Sequence, residues 1–168
     1  MTDVLALHGS PGAGKSTLAR ALAMTLGQAN ISWGVIDLDE LSLVHPYPGR
    51  SFARENLRVV WPNYVAAVPG IKLIIPTVFA DEEEVELLRH VLPGARLIVC
   101  ELTAPEEILK QRVTEREPSE EMAAGLRRWV DAYHARSDHS RIRHFQVSTH
   151  PATVAECVQR IIQLTGWM

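Results

Sequence analysis

Apolar residues along this 168-residue chain gather in short runs, separated by longer stretches in which they recur every three or four positions. The runs VLALH (4–8), SWGVID (32–37), IKLIIP (71–76), ARLIVCEL (95–102) and HFQVST (144–149) predict five strands, most of them apolar on both faces. The stretches between them predict helices over about 15–27, 51–68, 82–92, 104–116, 120–137 and 152–165. Strand and helix alternating at this spacing predict an α/β fold with a five-stranded parallel sheet sandwiched by helices. Its ligands are then expected at the carboxyl ends of the strands. The length supports one domain over residues 1–168, with no repeat or linker to divide it.

Two helix starts carry a capping signature. In TAPE, Thr103 is placed to accept from the Glu106 amide while the Glu106 carboxylate reaches back and Pro105 occupies the first turn; DEEE at 81–84 suits the same arrangement. In the helix over 51–68, Leu57, Val60, Tyr64 and Ala67 form a core stripe, with Arg54, Arg58 and Trp61 on a neighbouring face. Trp33, Trp129 and Trp167 are expected at the periphery.

Charge narrows the choice of partner. A formal net charge of −3 and a pI near 6.2 offer no bulk attraction to nucleic acid or anionic lipid, so phosphate binding has to be local and the partner small. Cys100 and Cys157 lack the spacing of a zinc or redox motif and predict buried free thiols, in keeping with a reducing cytoplasm. The start, MTDVLALHG, has no basic region and too few apolar residues for a signal peptide or a membrane span. The histidines at 134, 139, 144 and 150 match no ligand spacing, and HARSDHSRIRH reads as a solvated helix end.

The sharpest chemical signal is GSPGAGKS at 9–16, which fits G-x-x-x-x-G-K-S/T directly after a strand and before a helix. Glycines let successive backbone N–H groups point into one concavity, and the helix beginning near Lys15 adds its positive end. Gly9, Ser10, Pro11, Gly12, Ala13, Gly14, Lys15, Ser16 and Thr17 are thus the candidate nucleoside triphosphate cradle. Lys15 supplies charge for the β- and γ-phosphates, and Ser16 a hydroxyl for Mg²⁺. After the second strand, VIDLDEL sets Asp37 and Asp39 two residues apart, on one face if the strand continues that far. Capping of the following turn is the alternative use of this pair. No acid ends the third strand, where Pro76 and Thr77 precede Asp81; Thr77 is a candidate wall of the substrate site.

Together, the loop, the alternation, the length and DLDE resemble the P-loop small-molecule kinases, a group including adenylate, shikimate, gluconate, adenylylsulfate and chloramphenicol kinases. The resemblance spans nearly the whole chain and implies a single-domain kinase fold using ATP and Mg²⁺. It implies catalytic roles for Lys15, Asp39 and Arg116, with Asp39 orienting the acceptor hydroxyl as base and Asp37 serving the metal beside Ser16. Segment 39–68 would form the acceptor side, where Arg50 and Arg54 are either anion ligands or ordinary solvated arginines. A short lid is expected at about 113–121, with Arg112 stacking on adenine and Arg116 reaching the transferring phosphates; a surface pair bridged to Glu107, Glu115 or Glu117 is the alternative. STHPAT at 148–153 falls where such kinases wrap the adenine edge. The expected partner is a small hydroxylated acceptor, without nucleic acid or membrane, and the chain is expected as a cytoplasmic monomer or homodimer. A nucleoside or nucleotide kinase and a non-catalytic nucleotide-binding switch are the competing functions.

Overall fold

Five parallel strands form one sheet in the order β2-β3-β1-β4-β5, comprising β1 (Thr2–Gly9), β2 (Trp33–Val35), β3 (Lys72–Thr77), β4 (Ala95–Thr103) and β5 (Phe145–Ser148). The computed structural model describes residues 2–168. The helices are α1 (Lys15–Gln28), α2 (Ser51–Ala67), α3 (Glu82–His90), α4 (Glu106–Arg116), α5 (Glu120–His134), α6 (His139–Ile142) and α7 (Val154–Thr165). Among the described residues no helix is long and apolar enough to cross a membrane.

The period of two in β1 explains why helices lie on both sides. Leu5 and Leu7 pack with Leu22 of α1 and Ile161 of α7, whereas Val4 and Ala6 pack with Leu57 of α2 and Leu88 of α3. Each leucine so buried contributes about 1.5–3 kcal/mol relative to its exposed state. Cys100 and Cys157 are free and buried in the first of these layers. Because β1 is central and all strands run the same way, the loops after β1, β2, β3 and β4 converge at one edge of the sheet, where the glycine loop lies.

Several local expectations change. The TAPE box does not form: α4 begins with Pro105 as its cap and no side-chain hydrogen bond. Thr103 is instead the last residue of β4, its carbonyl accepting from the Thr149 amide, and Glu106 pairs with Lys110. At α3, Asp81 does accept from the Glu84 amide, but the Glu84 carboxylate turns to the Ala80 amide and to Arg50. The complete capping box is at α7, between Thr153 and Glu156. In α2 the buried stripe is Ala53, Leu57 and Trp61, so Trp61 belongs to the core while Ala67 is exposed; the stripe drifts one position toward the aromatic ring that can fill the most space. Trp167 is also buried, against the α1–α7 layer.

The stretch after α5 is solvated in part and docked at its end. Ile142 of α6 enters the core, and His144 Nδ1 accepts from the Val99 amide. The expected lid, 113–121, is mostly helix: α4 runs to Arg116, and α5 starts at Glu120 behind a Ser119 cap that accepts from the Met122 amide.

Candidate active site

The glycine loop closes on its own lysine. Lys15 Nζ donates to the carbonyls of Gly9 (2.8 Å) and Ser10 (2.9 Å), and burial pulls its ammonium down to about 8, with Asp39 and Asp37 opposing that shift and Arg116 adding to it. Two glycines are required by packing. A Cβ on Gly9 would stand 2.6 Å from the Leu102 carbonyl oxygen of β4, and one on Gly12, where φ is +80°, would stand 2.9 Å from the Leu109 carbonyl of α4.

The acids lie in a turn, not on a strand face. β2 ends at Val35, and Asp37 Oδ1 accepts from the Asp39 amide at 3.0 Å, so the same-face argument fails while the turn-capping use of Asp37 is realised. Ser16 Oγ donates to Asp37 Oδ2 at 3.2 Å, which brings together the hydroxyl and the carboxylate expected around a metal. Asp39 points elsewhere, into a cavity of about 530 Å³ that it shares with Lys15, Thr77, Arg50, Arg54 and Arg116.

In that cavity the two arginines are not equivalent. Arg50 forms a two-pronged pair with Glu84 (Nε–Oε1 and Nη2–Oε2, both 2.6 Å) and donates to the Val78 carbonyl, whereas Arg54 Nη1 stays 3.6 Å from Glu84. Burial alone would raise the Glu84 carboxyl; the Arg50 guanidinium and the Ala80 amide outweigh it and hold the group below the usual carboxylate range. Trp129 of α5 lines this cavity as well, rather than packing the periphery.

A second cavity, of about 300 Å³, lies on the other side of the loop between α4 and the segment that leads into α7. Gly12, Gly14, Thr17 and Arg116 line both cavities. Arg112 sits in the second, its guanidinium donating to the Gly12 carbonyl and to Thr149 Oγ1 and carbonyl, so it ties the loop to the end of β5. Arg116 is exposed and pairs with Glu117 Oε1 at 2.9 Å.

The sequence pattern of the AAA domain family matches residues 4–139, most of the chain. The chain belongs to the AAA domain family. A search among curated proteins finds no match. Solved structures similar to this AAA domain include the APS kinase of Mycobacterium tuberculosis in complex with AMPPNP and APS, at TM-score 0.70 and 19% identity, covering 98% of each chain. A gluconokinase from Sinorhizobium meliloti 1021 (TM-score 0.65, 19% identity) covers 98% of this chain and 91% of its own. Shikimate kinase from Acinetobacter baumannii in complex with shikimate (TM-score 0.58, 22% identity) covers 98% of this chain and 93% of its own. At these identities the likeness is one of fold, and the fold is that of the P-loop small-molecule kinases.

Beneath the loop of this AAA domain lies a buried polar chain that sequence reading missed. His8 and Glu101 are register partners on β1 and β4, and Tyr133 of α5 bridges them: its hydroxyl is 3.2 Å from His8 Nε2 and donates to Glu101 Oε1 at 2.7 Å. The Phe79 amide donates to His8 Nδ1, which leaves the ring proton on Nε2 facing the Tyr133 oxygen. Arg143 closes the chain on Glu101 Oε2. The Tyr133 hydroxyl is pushed up by burial and by the Glu101 carboxylate it serves. This network fixes the end of α5 to the floor of the loop, while Leu126 and Trp129, further back on the same helix, face the larger cavity.

Burial, reinforced by Arg136 and Lys15, pulls the His8 ring from 6.5 down to about 3. The unfolded chain therefore takes up a proton below about pH 6.5 that the folded chain refuses until near pH 3. Stability is full above that window and falls within it by up to about 1.4 kcal/mol per pH unit. Thermal melts between about pH 7 and pH 4.5 should show a falling Tm whose slope is shallower in His8→Asn, which keeps an acceptor for Phe79. An identical slope in the variant would mean that His8 titrates freely in the fold.

Proposed function

We propose that this protein is an ATP- and Mg²⁺-dependent kinase that transfers the γ-phosphoryl group to a hydroxyl of a small metabolite or antibiotic-like compound. The observation that carries this reading is the meeting of two cavities at one phosphate loop, with Arg116 lining both, and Lys15 and a carboxylate, Asp39, on the larger side. ATP would lie with its base in the smaller cavity and its γ-phosphate at Lys15. The acceptor oxygen attacks phosphorus, an O–P bond forms, the bond to the β-phosphate oxygen breaks, and ADP departs with that electron pair. Asp39 takes the hydroxyl proton.

Ser16 and Asp37 suit Mg²⁺, being hard oxygen donors side by side at the helix start, with water and phosphate oxygens to complete the set. When bound, the ion neutralises charge on the β- and γ-phosphates. Arg116 leaves Glu117 for the transferring group, so Arg116→Ala is expected to slow transfer by about 10²-fold or more and to change ATP affinity far less. Stopped-flow transfer rates beside equilibrium ATP binding separate the two effects.

Lys15 gives the phosphate site a pH signature. Its ammonium, pulled down to about 8 by burial, would regain its proton beside phosphate. MgATP affinity should therefore fall above about pH 8, and binding there should take up a proton, measured by calorimetry in two buffers of different ionisation enthalpy. Lys15→Arg stays charged and should take up none.

The reading itself is tested by ADP release from MgATP with pooled hydroxylated metabolites and antibiotics, native protein beside Lys15→Ala. Release that depends on one pool and vanishes in the variant is expected. Tight ATP binding without pool-dependent release favours the switch function instead.

A further inference from the structure

The walls of the larger cavity say more about the acceptor than its hydroxyl. Its floor is apolar, with Leu38, Phe79 and Leu88 buried, and at its rim stand two aromatic rings left open to solvent, Tyr47 (59% exposed) and Trp129 (56% exposed). Large rings exposed on the wall of a concave site gain most from stacking on a flat apolar partner. Of the polar groups on the wall, Ser42 Oγ already donates to the carbonyls of Leu38 and Asp39.

Charge supplies the second feature. Arg50 and Arg54 both meet Glu84, and Asp39 is the other carboxylate of the cavity. Arg54 is the less engaged of the two: Arg50 is held by Glu84 and Val78, whereas Arg54 makes no hydrogen bond among the described residues, with its side chain only 18% exposed on the cavity wall. A half-buried guanidinium fork with open donors favours a single carboxylate or phosphate-like anion. Glu84 thereby divides the labour, holding Arg50 as part of the wall and leaving Arg54 for the ligand.

We infer that the acceptor is a hydroxylated compound with one flat apolar ring, stacked against Trp129 and Tyr47, and one anionic group on Arg54. This rests on the kinase reading for the identity of the site, but its test measures binding and needs no transfer. With AMPPNP and Mg²⁺ present, calorimetry compares 3-phenyllactate, gluconate and 1-phenyl-1,2-ethanediol, which carry ring and anion, anion alone, and ring alone. Phenyllactate should bind at least ~10-fold more tightly than either of the others. Trp129→Ala should erase the preference over gluconate, and Arg54→Gln the preference over the diol, each leaving the other preference in place. Both side chains stand on the cavity wall outside the core, and matching thermal melts check that the variants fold. Gluconate binding as well as phenyllactate, a preference unchanged in Arg54→Gln, or no phenyllactate binding up to about 10 mM overturns the inference. Phenyllactate binding without phosphorylation of any acceptor would uphold this ligand class and count against the kinase reading alone.

Discussion

Asp39→Asn is expected to lower phosphoryl transfer at saturating substrates by about 10²- to 10⁴-fold while MgATP affinity stays within about threefold. The amide occupies the same space and keeps an oxygen toward the acceptor, but it cannot receive the proton that leaves the attacking hydroxyl. Asp39 is exposed, and its contact with Asp37 runs through its own backbone amide, so the turn should survive the change. Asp37→Asn should behave differently, weakening the response to Mg²⁺ because that carboxylate sits on Ser16 and not in the acceptor cavity. Steady-state kinetics with a Mg²⁺ titration on both variants distinguishes the roles. Full turnover in Asp39→Asn would place the base elsewhere.

Glu101→Leu is expected to cost about 3 kcal/mol of stability, which for a chain of this length is a fall in Tm of roughly 6–12 °C. The Glu101 side chain is only 3% exposed, and its removal leaves the Arg143 guanidinium and the Tyr133 hydroxyl without their acceptor. The half-exposed end of Arg143 can reach some water, which keeps the loss from being larger. Adding Arg143→Met should recover part of it, since the unpaired charge then leaves as well. Tyr133→Phe, which removes the donor to Glu101 and the acceptor of the His8 ring proton, should cost about 1–3 kcal/mol. Thermal melts of the four proteins carry the comparison, and a single-variant loss below about 1 kcal/mol would mean that the network is wet.

What the chain reveals unaided follows the range of the forces involved. The glycine loop is readable because its signature is contained within eight consecutive residues. The strands are readable because burial on both faces leaves an unbroken apolar run. Caps proved harder: Thr103 had two uses, helix cap and strand end, and pairing with the β5 side decided it. The Asp37–Asp39 turn shows the same limit, since the two side chains share a face only where the strand continues to 39, and β2 ends at Val35. Glu101 was visible as a charge inside the apolar run ARLIVCEL, and His8 as a histidine abutting the loop, yet their meaning depends on Tyr133, brought from a helix far along the chain. Glu84 likewise read as a helix-start acid, and only the contact with Arg50 shows it as the residue that holds an arginine in the wall of the larger cavity.

A kinase is defined by where the γ-phosphoryl group goes. Native protein and Lys15→Ala should each be given MgATP labelled with ¹⁸O on the γ-phosphate, together with the acceptor pool that stimulates ADP release, and the products followed by mass spectrometry. A labelled phosphomonoester of one pool component is expected with the native protein and none with the variant. Label appearing only in inorganic phosphate, or ATP remaining intact although it binds, would contradict the kinase reading.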